Sequence, residues 1–248
     1  MTLRIRTAIV GLGLLFVGLA AAQTVEEILA NNQKAEGAGA KAKFTSIVIK
    51  GKMEMLAQDM EIPMTVTYKR PNMHRTDMEM MGKTMTRATD GKEYWLLMPA
   101  MMGSGKATVK TMDTDETTEF QHHSTIDGIL HDYKQYEMTA SLVGKTTRDS
   151  NEVYKVVLKD KAGKEQSYYI DTKTNLLYQS EQTVKGREGN DVKMLMTFSD
   201  FRDVSGAKFP FKMIQKVGAM EIVISYESIE VNSDIDDSIF KKSSADTK

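Results

Sequence analysis

The pattern of apolar and polar positions changes period once along the chain. Thr24–Lys34 (TVEEILANNQK) predicts a helix: Thr24 stands ahead of Glu26 and Glu27, which suit a helix N-terminus, and Val25, Ile28 and Leu29 share one face. Glu36–Lys43, with two glycines, reads as a loose connection. From Ile47 the period is two. Ile47 and Ile49 alternate with Val48 and Lys50, and Met60, Ile62, Met64, Val66 and Tyr68 put five apolar side chains on one face. The same alternation marks Tyr154-Val156-Leu158, Phe209-Phe211-Met213 and Met220-Ile222-Ile224-Tyr226. Gly82, Asp90-Gly91, Ala162-Gly163, Gly189-Asn190, Gly206 and Gly218 fall at hairpin spacing, giving roughly eleven strands. The strand pattern fails between Asp113 and Tyr133, where Thr125–Leu130 predicts a short helix or helical loop. A helix followed by a long antiparallel run with one helical insertion predicts a mainly β (α+β) fold. In it, one strongly curved sheet wraps around helices.

Residues 1–22 form three zones: a positive end (Arg4, Arg6), an apolar run from Thr7 to Leu19, and the small residues Ala20-Ala21-Ala22. Thr7–Ala22 as a helix spans roughly 24 Å, short of the ~30 Å hydrocarbon core, so a cleaved export signal is expected rather than an anchor. The expected organisation is residues 1–22 as signal peptide, 23–242 as one domain, and 243–248 as a polar tail. The exported chain is then periplasmic. It keeps 31 basic and 34 acidic residues, a near-balance that argues against nucleic acid or an anionic membrane face as the main partner. With no cysteine, it has no disulfides and no thiol chemistry.

Chemistry-bearing residues are few. His122-His123 with His131 offers histidine ligands, but adjacent histidines point in different directions, so no metal site is assigned. Gly103-Ser104-Gly105-Lys106 resembles a phosphate loop but lacks its spacing, and reads as a hairpin turn. The sequence points away from an enzyme. Methionine is the anomaly: of nineteen, thirteen lie between Met53 and Met112. They fit ordinary core filling, an adaptable lining for a greasy ligand, or Cu(I) thioether ligation by Met53-x-Met55 and Met78-x-Met80-Met81.

Several segments carry a family resemblance. Lys69-Arg70-Pro71-Asn72 is followed by Asp90-Gly91-Lys92, Trp95 and Pro99, the order and spacing of a "KRPN" segment and a "DGK–W–NP" hairpin. Thr197–Arg202 (TFSDFR), Lys208–Phe211 (KFPF) and Ile235–Lys241 (IDDSIFK) follow in order. Together these resemble the outer-membrane lipoprotein-sorting proteins, the LolA-like carriers. The resemblance implies an incomplete antiparallel β-barrel with helices covering its open mouth over an apolar cavity. It implies a periplasmic carrier of lipoprotein or other lipid acyl chains that uses no cofactor; a monomer is expected. Its partners would be an inner-membrane extraction complex and an outer-membrane acceptor. Arg70 matches the family arginine that bonds the helical lid, and the lid falls on Ile126, Ile129 and Leu130. The cavity lining is expected from Ile62, Met64, Val66, Met78, Met80, Trp95 and Leu97. Two other functions stay open on the residues alone: a Met-rich copper-binding envelope protein, and a lipoprotein or envelope-stress sensor domain of similar fold.

Overall fold

The computed structural model describes residues 23–100, 105–122, 124–186 and 189–242. Residues 1–22, expected as an export signal, residues 243–248, expected as a polar tail, His123, and Gly103 and Ser104 of the Gly103–Lys106 turn lie outside the described residues. The chain opens with α1 (Val25–Ala35) and a short α2 (Ala38–Lys41). Thr24 caps α1: the Glu27 N–H donates to Thr24 Oγ1 at 3.2 Å, and the Thr24 N–H to Glu27 Oε2 at 3.1 Å. The segment expected to be a loose connection is ordered by Gly37, whose φ of +78° turns the chain into α2. A Cβ there would lie 2.3 Å from the Gly206 carbonyl oxygen, so only glycine lets this corner seat against the later hairpin.

Six strands follow: β1 (Ser46–Met55), β2 (Met60–Lys69), β3 (Met73–Met80), β4 (Lys83–Thr89), β5 (Tyr94–Met98) and β6 (Thr108–Thr111). The helical insertion is α3 (Thr114–His122) and α4 (Ile129–Asp132). Then come β7 (Thr139–Arg148), β8 (Asn151–Lys159), β9 (Glu165–Asp171), β10 (Leu177–Lys185), β11 (Asp191–Val204), β12 (Ala207–Val217) and β13 (Met220–Val231), closed by a 3-10 turn at Asp237–Phe240. Thirteen strands exceed the roughly eleven expected, because short or polar strands such as β6 (TVKT) carry little apolar alternation.

All thirteen strands form one antiparallel sheet in the order β6-β5-β4-β3-β2-β1-β13-β12-β11-β10-β9-β8-β7. Each strand pairs with its sequence neighbours except at two places. The first strand joins the last through β1–β13, and the edge strands β6 and β7 do not pair, the chain passing between them through α3 and α4. The sheet is therefore an unclosed barrel whose gap is spanned by helices. Its curve is accommodated at a register shift beside Gly51, where a Cβ would stand 2.3 Å from the Ser225 carbonyl oxygen.

Burial divides the interior into zones. Ile28 and Leu29 of α1 pack with Ile129, Leu130 and Tyr133 against Tyr154, Val156 and Leu158 of β8 and Tyr168 and Ile170 of β9. Phe44, Ile47, Ile49, Val66, Phe209 and Phe211 gather under Ile126. Phe120 of α3 covers Leu96 and Met112. A fourth zone, around Met213, Ile222 and Ile224, includes Met53, Met55, Met64, Met196 and Met220.

Candidate functional site

The concave face and the helical insertion enclose a cavity of about 650 Å³. That lies inside the ~300–1,000 Å³ range of small-molecule sites. Its wall runs across most of the sheet, and its two ends differ in character. Toward the rim where β1 begins and β2 ends, the lining is aromatic and aliphatic: Ile47, Ile49, Tyr68, Phe120, Tyr168 and Phe209. Farther along the strands it is methionine-rich, with Met64, Met78, Met194, Met196 and Met213 beside Phe198 and Ile224. Unbranched thioethers repack around irregular apolar partners, so this wall can adapt its shape to an apolar ligand. Burial pushes the phenols of the wall tyrosines Tyr68 and Tyr226 upward, Tyr226 to about 12, so both are neutral donors at physiological pH.

Over the aromatic end lies the segment leading into α4. Ile126 inserts among Phe44, Ile47, Val66 and Phe209, while Ile129 and Leu130 pack on α1, β8 and β9. Arg70 fixes this segment to the rim. Its Nη1–H and Nη2–H donate to the two carboxylate oxygens of Asp127 at 2.7 and 2.9 Å. Its Nε–H donates to the Phe44 carbonyl at 2.8 Å, and Nη2–H also reaches the Lys41 carbonyl at 3.1 Å. One guanidinium thus ties the lid, the end of α2 and the approach to β1 to the end of β2. Burial opposes ionisation of Asp127, yet the hydrogen bond and charge of Arg70 outweigh it and hold the carboxyl below its ordinary range. A second tie joins the lid to the wall. His74 stacks between Tyr68 and Phe120, with centroids at 4.5 and 4.6 Å, and its Nδ1 lies 3.0 Å from Ser124 Oγ.

Of the residues singled out from sequence, Met64, Val66 and Met78 stand on the cavity wall, and Ile126 and Ile129 complete it from the lid. Ile62 shares the face of Met64 but is buried beyond the cavity, and Met80 sits at the end of β3, opposite Lys83 and off the wall. Leu130 is buried in the packing between α1 and α4, facing a smaller cavity of about 100 Å³. Trp95 and Leu97 require a correction. In the β4–β5 register Arg87 pairs with Leu96, and both line the cavity, so the alternate residues Trp95 and Leu97 face the other side of the sheet. Trp95 is 2 % exposed, and its Nε1–H donates to the Phe240 carbonyl at 2.9 Å, sealing the 3-10 turn against the convex face.

Sequence reasoning missed Asp127, His74, Phe120, Arg87 and the β11 row Met194-Met196-Phe198. The last was visible as an apolar alternation. Asp127 was not, because Asp-Gly reads as a turn and its partner lies 57 residues away. His122 is in the cavity wall, with an edge contact to Tyr136 at 5.5 Å, whereas His131 is in the lid and bonds Asp132 at 2.8 Å. Among the described residues, Asp127, His131 and Asp132 bring three possible metal-ligand atoms within 4.8 Å, but Arg70 occupies both oxygens of Asp127. Of the methionine run proposed for copper, Met81 is 76 % exposed at a turn tip, away from the wall that holds Met78.

An open antiparallel barrel whose helical insertion is tied by Arg70 across a largely apolar cavity defines the class. No protein-family model matches the sequence, and no curated protein matches it. Among solved structures the chain is similar to a LolA superfamily protein from Nitrosomonas europaea, at 13% identity and a TM-score of 0.60, covering 89% of this chain and 99% of that one. It is similar to a DUF1329 family protein from Desulfovibrio piger at 10% identity and TM-score 0.60, covering 89% and 98%. It is also similar to an outer membrane lipoprotein-sorting protein domain from Vibrio parahaemolyticus at 12% identity and TM-score 0.56, covering 86% and 94%. The fold is LolA-like.

Proposed function

We propose that this chain is a periplasmic carrier that takes the acyl chains of lipoproteins, or of other lipids, into its cavity and moves them towards the outer membrane. The observation that carries this reading is the cavity of about 650 Å³, largely apolar and roofed by a lid that one arginine clasps. Each methylene moved out of water contributes ~0.8 kcal/mol, so a long acyl chain gains on the order of 10 kcal/mol. A membrane offers nearly the same gain. Directional transfer therefore needs only a modest bias between open and closed forms, and no covalent chemistry. The Arg70–Asp127 clasp is suited to set that bias, because its bonds exist only when the lid is down. An export signal at residues 1–22 fits the same reading. So does delivery from an inner-membrane extraction complex to an outer-membrane acceptor. Native mass spectrometry of the protein isolated from an envelope fraction tests it. Co-purifying lipid, or transfer of a fluorescent lipopeptide to acceptor vesicles, is the expected result. A lipid-free protein that carries stoichiometric copper and transfers no lipopeptide would overturn it.

A further inference from the structure

We infer that Arg87 makes this cavity a site for an amphiphile with an anionic head, a carboxylate or phosphate on a long chain, in preference to a neutral lipid. The inference rests on the carrier reading and narrows its cargo. It comes from the charges in the wall. Each carboxylate that lines the cavity is matched by a cation: Glu36 by Lys41 at 2.8 Å, Asp127 by Arg70, Glu116 by Lys110 at 2.8 Å, and Glu181 by Lys193 at 2.7 Å. Arg87 is the exception. Arg87 lines the cavity and is exposed, and no hydrogen bond or ion pair to it is found among the described residues.

The surroundings sharpen the point. Arg87 lies on β4 directly opposite Thr76 of β3 and Leu96 of β5, both also in the wall, and Leu96 packs with Met112 and Phe120. A guanidinium exposed as that of Arg87 is donates its hydrogen bonds to water. Packing hydrocarbon around it removes that water, and an unpaired charge against acyl chains is strongly unfavourable. A neutral ligand leaves that cost standing. An anionic head cancels it with charge-assisted, bidentate bonds, for which guanidinium is the best-shaped donor. The wall so arranged favours one end of its ligand being negative and the rest greasy.

The test measures binding of palmitate, its methyl ester and hexadecanol by isothermal titration and displacement of a fluorescent fatty acid, in the wild-type chain, Arg87→Gln and Arg87→Lys. One charge-assisted bond corresponds to roughly a ten- to hundred-fold preference. The wild type should favour palmitate over both neutral ligands by that factor. Arg87→Gln should bring the three together without weakening the neutral pair, and Arg87→Lys should keep part of the preference. Acetate, a carboxylate without the chain, should displace nothing. Equal binding of the three ligands by the wild type, or an undiminished preference in Arg87→Gln, overturns the inference and leaves the carrier reading intact. Binding of none of them overturns both.

Discussion

Arg70 and Asp127, 57 residues apart in sequence, meet through two parallel hydrogen bonds of 2.7 and 2.9 Å that close the lid onto the barrel rim. The pair is partly screened from water, with side-chain exposures of 34 % and 15 %. Replacing Arg70 with leucine removes the Asp127 bonds together with those to the Phe44 and Lys41 carbonyls. Bonds to a charged group contribute about 1.5–3 kcal/mol in protected sites, and loss of one such bond shifts the lid towards open by roughly ten- to a hundred-fold. Arg70→Leu should therefore keep or gain lipid affinity while its transfer of a fluorescent lipopeptide to acceptor vesicles slows. Unchanged affinity together with unchanged transfer would reduce the clasp to surface charge.

The same pair makes the lid sensitive to acid. Asp127 has its carboxyl held below its ordinary value of 3.8, so its contribution to closure is complete above that value. It is lost as pH falls through the lower value of the closed state. The protection of the residue 124–132 amides against hydrogen exchange, taken relative to the free-amide rate at each pH, should fall below about pH 4, before that of the β8 and β9 amides. In Asp127→Asn that step should vanish, with the lid exchanging fast at every pH. Lid exchange that tracks the barrel amides across the whole range would rule the mechanism out.

Trp95 reports on the outside of the barrel. Saturation with a long-chain fatty acid should leave its emission unmoved, since the indole is buried beneath Phe240 on the convex face. Phe240 is itself fully buried. Phe240→Ala should cost about 3–5 kcal/mol of stability in a urea titration and red-shift the tryptophan, with lipid affinity retained. A lipid-induced shift in the wild-type emission would mean that the β4–β5 register is misplaced.

Trp95 also shows where sequence stops being informative. Tyr94-Trp95-Leu96-Leu97-Met98 is apolar at every position, so alternation does not choose between its two faces. The choice is made by the hairpin register, which sets Arg87 opposite Leu96. In β2 the alternation is cleaner, with Glu61, Pro63, Thr65 and Thr67 between the apolar residues, and Met64 and Val66 were legible as wall. Arg70 was legible only through its resemblance to a family motif. Asp127 and Arg87 were not, because a partner supplied by tertiary approach, or withheld by it, leaves no local pattern. The strand count fell short for a related reason: β10 (LYQSEQTVK) is held by its neighbours more than by its own alternation.

Gly51 tests how the sheet bends. A methyl group there would stand 2.3 Å from the Ser225 carbonyl oxygen and 3.0 Å from Tyr226 Cα, and both contacts are backbone. Neither strand can yield without disturbing the β1–β13 seam that joins the first and last strands. Gly51→Ala should lower stability by at least about 1–3 kcal/mol in denaturant unfolding, whereas Gly39→Ala, with open space around its Cα, should be nearly neutral. Equal stability of the two variants would show that the strands part easily at this point.

Methionine oxidation separates a lining from a core. Sulfoxide turns a flexible apolar side chain into a polar one, so its effect depends on what the side chain touches. Met81 and Met98 are 76 % and 40 % exposed and should react first under mild peroxide, with no effect on binding or melting. Met64, Met78, Met194 and Met196 are only partly buried and line the cavity, so they should follow. At that stage lipid affinity should fall while the melting temperature moves little, because the empty cavity hydrates the new sulfoxides as readily as the surface does. Met138, 4 % exposed in the packing between α4 and β8, should react last, and its oxidation should coincide with loss of fold. Peptide mapping by mass spectrometry at each peroxide dose, beside binding and melting curves, gives the order. If binding and melting instead decline together from the first modified wall methionine, those side chains support the fold rather than line a site, and the adaptable wall has no basis.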